Sequence, residues 1–101
     1  MLEIGKHKQQ LHALCRRFRV KRLELFGSAA TGRELARTSD LDFLVDLGDL
    51  PPAEYADAYF GLKEALERMF SRPVDLVTVP SLRNPFFKQR VEQTKALLYA
   101  A

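Results

Sequence analysis

The sequence has no tryptophan, a single cysteine and no apolar run approaching the ~20 residues of a membrane span. One cysteine excludes an internal disulfide and suits a reducing compartment. Cys15 falls on the apolar stripe of a helical segment, where it reads as a small core residue and not as a nucleophile. The opening decapeptide MLEIGKHKQQ lacks the apolar segment of a secretory signal, so a cytoplasmic protein is expected. Repeats, low-complexity tracts and linkers are also missing, and 101 residues suggest one domain over 1–101. Acidic residues are missing from one stretch: residues 5–22 carry Lys6, Lys8, Arg16, Arg17, Arg19, Lys21 and Arg22 without an Asp or Glu. Such a segment could meet nucleic acid or an acidic partner, yet no aromatics are interleaved in the manner of a stacking platform. The solvated face of an amphipathic helix is the favoured reading, and nucleic acid is not an expected partner.

What is present is an ordinary globular balance, 47% hydrophobic and 29% charged with a net charge of +3. Ile4, Leu11, Leu14, Cys15 and Phe18 recur at helical spacing and predict a helix over 4–18. Val20, Leu23, Leu25 and Phe26 form a short strand that stops at Gly27-Ser28. Ser28 is a favoured N-cap and predicts a short turn of helix, followed by a polar connection over 29–39. Residues 40–47 alternate cleanly, with Leu41, Phe43 and Val45 on one face and Asp40, Asp42, Leu44 and Asp46 on the other. After Gly48 and Pro51-Pro52, apolar steps of three or four from Tyr55 to Phe70 predict a helix over 53–70. Gly61 inside it costs about 1 kcal/mol of propensity, which argues for close packing against the sheet. A β-rich run follows over 74–79, then a helix over 85–93 opened by Asn84-Pro85, and a final strand over 95–99. The expected class is α/β (α+β), a small mixed sheet flanked by helices, with the strand order open.

Three features carry chemistry. A glycine at a strand end lets backbone approach a ligand closely, and a following helix N-terminus offers unpaired N–H groups to phosphate. Gly27 and Ser28 fit that description, although Gly-Ser also marks ordinary turns. Asp40 and Asp42 stand at i and i+2 of a strand, about 6.6–6.8 Å apart along the chain, and can share hard cations through oxygen. The same pattern also occurs at solvated strand ends. Asp75 interrupts the apolar run Val74-Asp75-Leu76-Val77, and burying such a charge requires a partner or a metal. If the two runs are neighbours, three carboxylates cluster and divalent metal relieves their repulsion. Otherwise Asp75 pairs with an arginine such as Arg72 or Arg90. Asp46 shares the face of Asp42 but lies toward Gly48 and solvent, so it is assigned no role.

Leu25-Phe26-Gly27-Ser28, an eleven-residue spacer, Asp40-Leu41-Asp42-Phe43 and the later Val74-Asp75-Leu76 together resemble the nucleotidyltransferases of the DNA polymerase β superfamily. Each part is weak and the ordered combination is strong. The resemblance is closer to the minimal nucleotidyltransferases, particularly the MntA-type antitoxins, and runs from about Val20 to Tyr99. Many relatives carry an Arg after the Gly-Ser, where Thr31 stands here and Arg33 follows. The resemblance implies a polymerase β-like palm that transfers AMP from ATP, with two Mg²⁺ ions held by Asp40, Asp42 and Asp75 and the phosphates held by Gly27 and Ser28. It also implies a partner, a HEPN-domain toxin of the HepT type, modified on a tyrosine. An oligomer is compatible with this reading. The competing expectation is a catalytically silent antitoxin that neutralises its partner by binding alone.

Overall fold

Alternation along short β-rich runs decides which helix covers which side of the sheet. The computed structural model describes residues 4–27 and 40–101. Its main elements are α1 (Lys8–Arg17), β1 (Arg22–Phe26), β2 (Leu41–Asp46), α2 (Pro52–Phe70), β3 (Val74–Thr78), α3 (Pro85–Thr94) and β4 (Ala96–Ala100). Short 3-10 turns precede α1 at Ile4–His7 and follow β3 at Val79–Ser81. Among the described residues the strands form a sheet of order β3-β2-β1-β4. β1 pairs antiparallel with β2 and β4, while β2 and β3 run parallel, which makes the sheet mixed as expected. A parallel pair needs a long crossover, and α2 supplies it.

On one face Leu23, Leu25, Leu41, Phe43 and Val45 meet Leu11 and Cys15 of α1 and Leu62 and Leu66 of α2 in the main core. Each fully buried Leu or Phe contributes about 1.5–3 kcal/mol, so this face carries most of the stability. Burial pushes the Cys15 thiol up to about 12, consistent with an inert core residue. The opposite face is covered only in part, by Val91 of α3 packed on Phe26 and Leu44. A bulge where β4 crosses Leu23 and Glu24 lets both Leu98 and Tyr99 reach the main core.

Local chemistry explains most of the boundaries. Pro52 starts α2 where its missing N–H costs nothing, and Ser71 ends it in the left-handed region at φ 53. Asn84 caps α3, its side chain accepting from the backbone N–H groups of Phe86 (2.9 Å) and Phe87 (3.3 Å). The N-terminal helix departs from expectation: it begins as a 3-10 turn and becomes α only at Lys8, with no side-chain cap at His7. Gly61 also departs. A Cβ there would lie 2.5 Å from Phe18 Cε1, so the close approach is to the aromatic that closes α1 and not to the sheet. Edge strand β3 is protected by α2, because Tyr59 Oη donates to Leu76 O at 2.6 Å and Glu67 accepts from Val74 N at 3.1 Å.

The basic residues of 5–22 point outward. Arg19 lies 3.8 Å from Glu54 and Arg17 covers the Phe18 ring at 5.3 Å, in keeping with a solvated face. No helix among the described residues is long and apolar enough to cross a membrane. The helical turn expected at Ser28 and the connection over 29–39 lie outside the described residues.

Candidate active site

Strand pairing sets Phe26, Asp42 and Asp75 in a row across three strands, Phe26 opposite Asp42 and Asp42 opposite Asp75. Neighbouring strands stand about 4.8 Å apart, so the two carboxylates emerge side by side. Gly27 follows Phe26 at φ 75, in the left-handed region that favours glycine. A Cβ at this position would lie 2.7 Å from Asp42 Oδ2. Both the backbone conformation and the space for Asp42 therefore require glycine. The Gly27 N–H donates to Thr94 Oγ1 at 3.1 Å, and that hydroxyl donates in turn to Arg90 O at 2.9 Å. As placed, Gly27 offers room and not a free donor. Ser28 lies outside the described residues.

Burial raises the Asp42 carboxyl above its usual range, the charges of Asp75 and Asp40 raise it further, and Arg90 acts in the opposite direction. Asp40 stands one residue ahead of β2, exposed, with its charge still reaching Asp42. Asp75 is exposed, which corrects the expectation of a costly buried charge. As the edge strand turns Val74 and Leu76 into the core, it turns Asp75 onto the open face. No group of three or more His, Cys, Asp or Glu among the described residues is drawn into a ready metal cluster. The donor set nevertheless suits a hard divalent cation: all-oxygen ligands on adjacent strands, with mutual repulsion concentrated on Asp42.

The carboxylates open into a cleft of about 130 Å³ lined also by Phe87, Arg90, Val91 and Thr94. Small-molecule pockets run to roughly 300–1,000 Å³, so the cleft formed by the described residues is smaller than a typical ligand site. The α3 residues recur at i, i+3, i+4 and i+7, one helix face. Sequence reading named Arg90 only as a possible partner of Asp75 and missed Phe87 and Thr94. Their spacing was visible, but which sheet face α3 covers was not. Asp46 is spent locally, accepting from Gly48 N at 2.9 Å. It also borders a larger cavity of about 350 Å³ farther along the face. There the buried Glu24 is held by Arg22 Nε at 3.1 Å and Lys95 Nζ at 3.6 Å, so its charge is satisfied internally.

The nucleotidyltransferase domain family matches this chain over residues 7–98. The chain belongs to that family. The match takes in Gly27, Asp40, Asp42, Asp75 and Arg90. Among its relatives, a Methanocaldococcus jannaschii protein named as a candidate protein adenylyltransferase is 35% identical over 90 residues, 89% of this chain and 85% of its own length. A solved candidate minimal nucleotidyltransferase shares the fold with a TM-score of 0.71 at 30% identity, over 92% of this chain and 90% of that one. A chain from the Shewanella oneidensis complex of tri-AMPylated HEPN toxin with MNT antitoxin gives a TM-score of 0.66, covering 98% of this chain and 74% of that one. At 22% identity that last likeness is one of fold. This nucleotidyltransferase thus places its Asp42–Asp75 pair at one end of the sheet's open face, under α3.

Proposed function

We propose that this nucleotidyltransferase transfers AMP from ATP to a tyrosine hydroxyl of a HEPN-domain toxin and so acts as an antitoxin. The observation that carries the reading is the row of Asp42 and Asp75 on adjacent strands beside Gly27, open to solvent on the α3 side. The protein adenylyltransferase name borne by the Methanocaldococcus relative supports the AMP donor, and the Shewanella complex supports the acceptor class. ATP as donor, with a reduced and buried Cys15, fits a cytoplasmic location.

In this reading Asp40, Asp42 and Asp75 would hold two Mg²⁺ ions, whose charge would offset that of the triphosphate and lower the pKa of the acceptor hydroxyl. The acceptor oxygen bonds to the α-phosphorus as the α–β anhydride bond breaks, and pyrophosphate leaves. Asp75, exposed beside Asp42, takes the hydroxyl proton. Gly27 keeps the space that Asp42 occupies.

Intact mass of a HepT-type HEPN protein, after incubation with enzyme, Mg²⁺ and ATP, tests the reading. One or more AMP additions are expected, all absent with the Asp40→Asn, Asp42→Asn double variant. An unchanged mass in a stable complex would instead favour neutralisation by binding alone.

A further inference from the structure

We infer that Arg90 contacts the triphosphate of the bound nucleotide and makes the cleft prefer a nucleoside triphosphate over a monophosphate. The inference rests on the nucleotidyl-transfer reading above. It starts from how α3 is pinned. Val91 is 1% exposed and locked against Phe26 and Leu44, the Thr94 hydroxyl holds Gly27 N, and Phe87 meets the Phe26 ring edge-on at 5.8 Å. These anchors lie before, beside and after Arg90 on one helix face, so the helix cannot turn that side chain away without breaking them.

Arg90 is the only cationic side chain lining the cleft among the described residues. Its charge reaches Asp42, yet the two form no ion pair among the described residues, and Arg90 remains exposed. A structural counterion would close onto its carboxylate. This guanidinium instead lines the cleft with no hydrogen-bond or ion-pair partner for its fork of donors among the described residues, the arrangement suited to bidentate phosphate contact. A triphosphate entering beside Asp42 and Asp75 brings additional negative charge to a site already rich in it. A fixed cation there favours the ligand with more phosphates and does little for a nucleoside.

Calorimetric titration of the full chain with AMP-PNP and with AMP, each with Mg²⁺, tests this in wild type, Arg90→Ala and Arg90→Lys. Arg90→Ala is expected to weaken AMP-PNP by about tenfold or more, the scale of a lost charge-assisted hydrogen bond, and to weaken AMP, with its single phosphate, by a smaller factor. Arg90→Lys, which keeps the charge without the fork, is expected to fall between. Melting curves of both variants should overlay that of wild type, because Arg90 packs on the surface. Unchanged AMP-PNP affinity in Arg90→Ala, or equal loss for AMP-PNP and AMP, would overturn the assignment while leaving nucleotidyl transfer standing. Wild type that binds no AMP-PNP would remove the nucleotidyl-transfer reading itself, and this inference with it.

Discussion

Asp42 is where the fold and the chemistry conflict. Its carboxyl is held above the ordinary carboxylate range by burial first, then by Asp75 and Asp40. A raised folded-state pKa means that the folded chain takes up this proton more readily than the unfolded chain. Without metal, Asp42 therefore favours folding at low pH and loses that contribution as pH rises through the raised value. Neutral Asn avoids the loss. At pH 7 and without metal, Asp42→Asn is expected to melt above wild type, by on the order of 1 kcal/mol or less because solvent screens the half-exposed site. The difference should vanish in acid, where Asp42 is protonated in both states. Thermal melts at pH 7 and pH 3 check this, and a variant that melts below wild type at pH 7 would contradict it. At this scale the sequence named Gly27, Asp40, Asp42 and Asp75 as candidates, and the fold sets Asp42 opposite Asp75 beside Gly27, with Asp40 one residue ahead of β2. The environment of Asp75 was misjudged because an apolar run on an edge strand looks the same as one buried on both faces.

At the scale of elements, α2, β2 and the Asn84-capped α3 were legible because apolar period and capping chemistry are local. Strand order was not, since it depends on pairings between distant segments. The partner of Gly61 was hidden for the same reason, and its answer makes a sharp prediction. Alanine in a helix interior normally gains about 1 kcal/mol over glycine. Here its Cβ would overlap the Phe18 ring, and overpacking costs about 1–3 kcal/mol. Gly61→Ala is therefore expected to be neutral or destabilising in wild type, and stabilising by up to about 1 kcal/mol in a Phe18→Ala background. Urea unfolding of the four chains in this cycle reads the reversal of sign. The same stabilisation in both backgrounds would show that α2 does not press on Phe18.

At the scale of the whole molecule, the sheet has a stable side and a working side. α1 and α2 cover one face, while α3 covers part of the other and lines the cleft that holds Asp42 and Asp75 at one end. Asp46 lies on that same working face, two positions beyond Leu44 and away from the Gly27 end, which makes it the natural control. The most direct measurement compares initial rates of pyrophosphate release, with ATP, Mg²⁺ and the HEPN acceptor, for Asp42→Asn, Asp75→Asn and Asp46→Asn. A loss of at least about 10²-fold is expected for Asp75→Asn, the scale of removing a general base. A comparable or larger loss is expected for Asp42→Asn, which removes a carboxylate proposed to hold metal, and a rate near wild type for Asp46→Asn. Undiminished turnover in Asp75→Asn, or a loss in Asp46→Asn as large as in Asp42→Asn, would contradict this account.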